Sequence, residues 1–493
     1  MADDWPTLAD RCGTVLEHIG AVWSGLPLDK STGVEWLRET LGHPPDLVIR
    51  TVGGSSVLYL ETIVDHSRIE DAIIRPLTMA ADGRLPFPTT FLGESSRLRT
   101  YGDAMDALLA ANVVLLISGR PGGLALPVQK WPRRESTEPA AEFLARGPHM
   151  GFIETLDANI AMVRHGIPDP RLRWEQFPVG QRATTRGAIL YMDGMVRTSV
   201  LARVRRHLRR VKPSFATDSA MLGEWIVPRS NILFPTVGAT ERPDRVVAAL
   251  LEGRVAVLIT GSPTALLMPN VFAHMLHVPE DYYQTPMPVL ANRLVRVVGL
   301  LVASGASPLL VALMSINHDL IPERLFVALA QARRGVPIPI AIEVLILELL
   351  IEVIREAGVR LPGSMGQSVA ILGAVIVGQA AVTAGLISAP AVVVVSLAFI
   401  ASFVLPSSDL VMTLRLMRYP LIVLAAVFGL YGLTWGLLLA VTYVCSLDSF
   451  GVPYLAPVTP LWLQGLQDTL WRRSLPKLRR SFLAARTRRG PAR

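Results

Sequence analysis

Cysteine is scarce: the 493-residue chain has two, Cys12 and Cys445, far apart and in different surroundings. Two such residues make no disulfide framework, and without a CxxC or Cys/His cluster they suggest no zinc site. Charge is also low, at 18% of residues against about 25% in average soluble domains. Aromatic residues make up 6% and hydrophobic residues 51%. This balance excludes a disordered chain and argues against an ordinary cytosolic enzyme. Catalytic signatures are missing too: there is no GxxxxGK[ST], HExxH or GxSxG. Ser474 to Lys477 spells SxxK within a basic tail, where it reads as coincidence. The nine histidines lack metal-ligand spacing, and Gly53-Gly54-Ser55-Ser56 is a loop tip without the GK[ST] of a phosphate cradle. The expectation is no enzyme, no cofactor and no metal. Met1 to Asp10 is polar and acidic without a basic n-region, so no secretory signal is expected and the large N-terminal region is expected to stay cytoplasmic.

What is present is unevenly placed. The formal charge is +8, and nine basic residues against one acid after Gln464 account for all of it. Arg472, Arg473, Lys477, Arg479 and Arg480 are candidate lipid-headgroup residues, and Trp462 and Trp471 flank the start of this tail. Each such cation near anionic lipid contributes about 1 kcal/mol, and interfacial tryptophan fits the same surface. Nucleic acid is the weaker reading for this tail.

Uncharged runs cover Val297 to Asn317 (21 residues), Gln367 to Leu405 (39) and Tyr419 to Leu447 (29). About 20 apolar residues cross a bilayer as a helix. The runs predict one span, two spans divided near Ser388-Ala389-Pro390, and one span. Val336 to Ile354 is apolar but carries Glu343, Glu348 and Glu352, which lipid does not tolerate. If that segment is interfacial, four spans put both ends in the cytoplasm. If it crosses, a further crossing must come from splitting Asp409 to Leu447. Arg415 and Arg418 are awkward in the four-span version.

The preceding region contains a repeat. Leu115-Leu116-Ile117-Ser118-Gly119 matches Val257-Leu258-Ile259-Thr260-Gly261 at a displacement of 142, and Leu124-Ala125-Leu126-Pro127 matches Leu266-Leu267-Met268-Pro269. Each pair reads as two apolar strands after a helical stretch, Tyr101 to Ala111 and Pro243 to Glu252. Earlier come a strand and helix in each, at 57–60 and 67–77, and at 188–191 and 198–211. The fold class is an α/β or α+β N-terminal region of two related subdomains followed by an α-helical polytopic membrane domain. Residues 1–145 and 146–290 form the subdomains, 291–448 the membrane domain and 449–493 the basic tail.

Small residues at spacing four, Ala374 with Gly378, Ala380 with Ala384 and Gly432 with Gly436, are candidate helix-packing positions. They serve packing within the chain or contact between subunits. Glu343, Glu348, Glu352, Gln367, Gln379 and Thr383 are candidate pore or gating residues, because repeated carboxylates around a ring attract cations. The alternative is that the three glutamates pair with Arg355, Arg360 or other basic residues.

Several motifs carry a resemblance. They are Glu241-Arg242-Pro243-Asp244, Ala248-Ala249-Leu250-Leu251-Glu252-Gly253-Arg254-Val255-Ala256 and Pro279-Glu280-Asp281-Tyr282-Tyr283. Arg334-Gly335-Val336-Pro337, Arg355-Glu356-Ala357-Gly358, Gly366-Gln367, Gly378-Gln379-Ala380-Ala381-Val382 and Ser449-Phe450-Gly451-Val452-Pro453-Tyr454 follow. Arg146-Gly147-Pro148 and Gly151-Phe152-Ile153-Glu154-Thr155-Leu156 precede them. In this order, from about Asp46 to Pro457, the chain resembles the A subunits of GerA-type spore germinant receptors and their paralogue SpoVAF. One departure is Ile259-Thr260-Gly261-Ser262-Pro263, where the family often has an aspartate before the glycine; it leaves open which paralogue this is.

The resemblance implies the inner membrane of a bacterial endospore and a homo-oligomeric ring, a pentamer. It also implies a transporter-like B subunit and a lipoprotein C subunit as partners, and release of monovalent cations through a ligand-gated channel. The alternatives are a SpoVAF-like amplifying channel and a non-conducting membrane scaffold of the germination complex.

Overall fold

The structure is a computed structural model. It describes residues 30–81, 95–117, 122–129, 142, 147–211, 213–227, 233–360, 378–461 and 465–469. The chain divides into two compact units. One takes residues 1–230, 237–269 and 481–493, and the other 231–236 and 270–480. The sequence places the start of the membrane domain at 291, and the second unit's main segment begins at 270.

The first unit holds two five-stranded antiparallel sheets of identical topology. β1 (Leu47–Val52), β2 (Ser55–Leu60), β3 (Ser96–Leu98), β4 (Asn112–Leu116) and β5 (Gly123–Pro127) are ordered β1-β2-β4-β5-β3. β6 (Leu172–Val179), β7 (Thr185–Met192), β8 (Gly238–Thr240), β9 (Val255–Ile259) and β10 (Ala265–Met268) are ordered β6-β7-β9-β10-β8. The two matched blocks of the repeat are therefore β4-β5 and β9-β10. Val57 to Leu60, Val113 to Leu116 and all of β9 are buried on both faces, which explains runs rather than alternation of apolar residues. The edge strands escaped the sequence reading. β3 and β8 have three residues each, and β6 carries Pro178 and alternates imperfectly.

The helices of this unit begin and end where local chemistry dictates. α1 (Lys30–Thr40) and the helical segment α2 (residues 66–81) flank the first sheet's opening hairpin in sequence, and Asp65 caps α2. α3 (Tyr101–Leu109) starts in a capping box: Asp103 N–H donates to Thr100 Oγ1, and Thr100 N–H to the Asp103 carboxylate. α4 (Leu156–Gly166) packs on the second sheet and on the Glu61–Ile63 turn of the first subdomain. α5 (Thr198–Arg210) and α6 (Ser219–Ile226) follow. α7 (Pro243–Leu251) has Pro243 in its first turn and Gly253, at φ +82°, just past its end. A side chain at Gly253 would meet the Met195 carbonyl at 2.6 Å, so this stop is specific to glycine.

Asp46 joins the subdomains. It is buried, accepts from Arg164 of α4 and from the Trp174 indole at 2.9 Å each, and takes the Thr62 hydroxyl at 2.6 Å.

The second unit is helical: α8 (Pro286–Ser315), α9 (Glu323–Ala332), α10 (Ile340–Arg360), α11 (Ala389–Ser402) and α12 (Ser408–Ser446), with a further helical turn over 378–383. α8 is long and apolar enough to cross a membrane, and so is Ser408–Ser446 when taken as one continuous stretch. α11 begins at Ala389 behind Ser388, and its 14 residues span about 21 Å at 1.5 Å per residue.

α12 is not straight. Gly429 sits at φ +58°, ψ −140°, a non-helical conformation. The arms on either side fold back on each other: Gly436 lies against Leu421 and Leu424, while Thr413 and Tyr443, equally distant from residue 428, both bond Leu233. The run Tyr419 to Leu447, expected as one span, is thus part of a helical hairpin. Asn317, just past α8, accepts the Leu430 N–H at 2.8 Å, satisfying a backbone donor freed by the turn. A Cβ on Gly429 would collide with that same Asn317 oxygen.

Candidate functional site

Apolar helices impose the problem that the candidate site solves. A carboxylate inside such a bundle is stable only beside cations, donors or water. α10 carries three, and each meets a different level of its neighbours. Glu343 is fully buried; it accepts the Ser388 N–H at the start of α11, and Arg333 Nη2 stands 3.5 Å from its other oxygen. The α11 N-terminus is a favourable place for negative charge. Glu348 receives Arg418 Nη1 on both oxygens, at 2.6 and 2.8 Å, and the Ser307 hydroxyl of α8 at 2.7 Å. Glu352 receives Arg415 Nη1 at 2.8 and 3.0 Å, and Arg355 as well.

Both arginines that seemed awkward in the sequence are therefore partners of α10. Arg418 is 4% exposed and Glu348 7%, so the middle pair is shielded from bulk solvent. Sequence reasoning found the acids but not these bases, which lie 63 and 70 residues away. Their residue types and their place beside an uncharged run were the available signal. Arg355 pairs with Glu352 as one of the two named alternatives.

The remaining candidates occupy distinct places. Gln379 and Thr383 are exposed on the turn 378–383 and, with Ala380 and Ala384, line a shallow open depression. Gly378 is buried, with Val392 of α11 next to it. Gly432 and Gly436 spend their small face inside the α12 hairpin, where a Cβ on Gly432 would strike the Leu424 carbonyl. Gln367, Ala374, Arg472, Arg473, Lys477, Arg479 and Arg480 lie outside the described residues.

At the start of α8 a second charged cluster was missed. Asp281, 2% exposed, accepts both nitrogens of Arg296 at 2.8 Å and Arg293 Nε at 3.1 Å. Arg293 also donates to the Asp468 carbonyl at 2.7 Å, and Tyr282 donates to the Asp468 carboxylate at 2.8 Å. Burial pushes the Asp281 carboxyl up, but the bonds and charges of Arg296 and Arg293 outweigh it and hold the group below its ordinary value. Burial, then the Arg293 charge, pushes the nearby His277 imidazole down; its Nε2 lies 3.0 Å from the Thr469 carbonyl. These contacts tie Pro279 to Tyr282 and residues 465–469 to the first turns of α8.

The arrangement has no counterpart to a nucleophile activated by a base among the described contacts. It offers a bundle in which the α10 carboxylates are met by arginines, and an exposed polar pair, Gln379 and Thr383, in the apolar stretch before α11.

Comparison with known proteins supplies the family. The family model described as "Bacillus/Clostridium GerA spore germination protein" matches residues 35–482. Spore germination protein KA of Bacillus subtilis is 33% identical over 449 residues, covering 88% of this chain and 82% of that one. Spore germination protein B1 of the same organism is 33% identical over 456 residues, covering 90% and 94%. The uncharacterized membrane protein YfkQ of Bacillus subtilis is 35% identical over 422 residues, covering 84% and 82%. The N-terminal domain of the A subunit of the Bacillus megaterium spore germinant receptor GerK3 aligns with 48% of this chain and 94% of its own at 24% identity and a TM-score of 0.38. With the match running through both the two-sheet unit and the helical unit, the chain belongs to the Bacillus/Clostridium GerA family of spore germination proteins.

Proposed function

We propose that this protein is the A subunit of a nutrient germinant receptor and forms an oligomeric, ligand-gated cation channel in the inner membrane of the endospore. The N-terminal unit and the basic tail lie in the cytoplasm. A transporter-like B subunit and a lipoprotein C subunit are its partners, as the family resemblance implies. Nutrient binding in a partner biases the ring between closed and open states, and it does so only through different affinity for the two.

The observation that carries this reading is the exposed pair Gln379 and Thr383, which with Ala380 and Ala384 line an open depression in the apolar stretch leading to α11. A glutamine facing hydrocarbon is costly, whereas one facing a water-filled axis between subunits is not. Glu348 and Glu352 have their oxygens engaged by arginine. They therefore set helix positions around the path, and Glu343 stands where α10 meets α11.

The test is cation release from spores, or from liposomes holding the assembled receptor, with Gln379→Ala and Thr383→Val. Altered flux with unchanged assembly supports the channel. Unchanged flux in both variants, with assembly intact, removes this pair from the path and favours a non-conducting scaffold.

A further inference from the structure

The described part of the two-sheet unit carries a cationic surface that the channel reading does not use. α5 contains five arginines and one histidine and no acid. Val200, Leu201, Val204 and Leu208 bury its inner face, so the outer face cannot insert into the core. Arg205 is spoken for by Glu175, and the Arg209 charge also acts on Glu175. Arg206 and Arg210, four residues apart, are exposed.

The loop after α5 extends this face. Arg182 N–H donates to the Ser214 carbonyl at 2.9 Å, which brings exposed Arg182 beside exposed Phe215. α6 then packs beside α5 and exposes Trp225 at 55%, while Phe215 is exposed at 51%. Glu224 is the exposed acid of α6. Exposed guanidinium groups on α5 and at Arg182, with exposed aromatic rings on the following segment and on the adjoining α6, combine the two features that suit a lipid headgroup layer: attraction to anionic lipid and rings that sit at the interface.

We propose that Arg182, Arg206, Arg210, Phe215 and Trp225 form a peripheral docking surface for anionic phospholipid headgroups. Charge complementarity selects this occupant. A second copy presenting the same face would set arginine against arginine, which repels. The inference rests on membrane residence of the chain and not on ion conduction, so the two stand or fall separately.

The test uses the full chain in nanodiscs of neutral phospholipid and of mixed discs with about one third anionic lipid. Amide hydrogen exchange is read over residues 198–227. Slower exchange at 213–217 and 222–227 in anionic discs only is the expected result. The Arg182→Ser/Arg206→Ser/Arg210→Ser variant weakens docking about a hundredfold, roughly fivefold per arginine, and abolishes the difference. The same variant in neutral discs should exchange like the parent, which shows that it folds. A Phe215→Ser/Trp225→Ser variant reports the aromatic share independently. Equal exchange of the parent in both kinds of disc overturns the proposal. So does slower exchange induced by an acidic protein or by nucleic acid but not by anionic lipid.

Discussion

Asp281 shows how one side chain organises the entry to the helical unit. Two arginines and one aspartate are buried together, and removing the aspartate leaves Arg296 without a carboxylate while Arg293 keeps only Asp468. Asp281→Asn should cost about 3–5 kcal/mol, the usual penalty for breaking a buried ion pair. The readout is thermal unfolding of the detergent-solubilised full chain. The pH sign follows from the depressed carboxyl. Its stabilisation is complete above the unfolded value of about 3.9 and is lost as pH falls through the lower folded value. The parent should therefore lose more stability below about pH 4 than the Asp281→Asn variant does. Equal acid sensitivity would contradict this account of the cluster.

The Glu348–Arg418 pair, at the same scale, makes a contrasting case. Both groups are nearly inaccessible, and Ser307 completes the carboxylate's bonding. Glu348→Met alone should destabilise the bundle by about 3–5 kcal/mol because Arg418 remains. Glu348→Met with Arg418→Met should recover most of that loss, as a thermal double-mutant cycle would show. Additive losses would mean that the two residues do not act as a pair.

At the scale of elements, the α12 hairpin turns on one residue. Gly429 has a positive φ and no room for a side chain. Gly429→Ala should cost about 1–3 kcal/mol from the backbone alone, with the clash against Asn317 added. Asn317→Ala should cost about 1–3 kcal/mol by stranding the Leu430 N–H. Paired cysteines at positions 421 and 436, where Gly436 packs against Leu421, should cross-link if the arms are antiparallel and should fail to do so if α12 runs straight.

This element also marks the limit of what the sequence made legible. Hydropathy located Tyr419 to Leu447 but could not see that a glycine among several glycines breaks the helix; only the collision with Asn317, more than 100 residues earlier, singles Gly429 out. Separations of 63 and 70 residues likewise hid Arg415 and Arg418 as partners of α10. By contrast, the repeat in the first unit was readable because β4 and β9 are buried on both faces and keep their apolar runs. Its short edge strands left no comparable pattern. Gln379 and Thr383 were readable as polar residues in an apolar run, while their place on one open depression needed the fold.

Across the whole molecule, charge is handled in three ways. Asp46 clamps one subdomain to the other, the arginines of α10's neighbours neutralise carboxylates within the helical unit, and α5 keeps its guanidinium groups on the surface. The first two are internal, and the uncharged Gln379–Thr383 pair is the candidate lining of a shared path. The most direct measurement is cation efflux from potassium-loaded liposomes that contain the purified protein with its receptor partners. The account predicts efflux that rises on adding the cognate nutrient and changes with Gln379→Ala. Liposomes that stay tight under every partner and nutrient condition, with the protein folded and assembled, would contradict it.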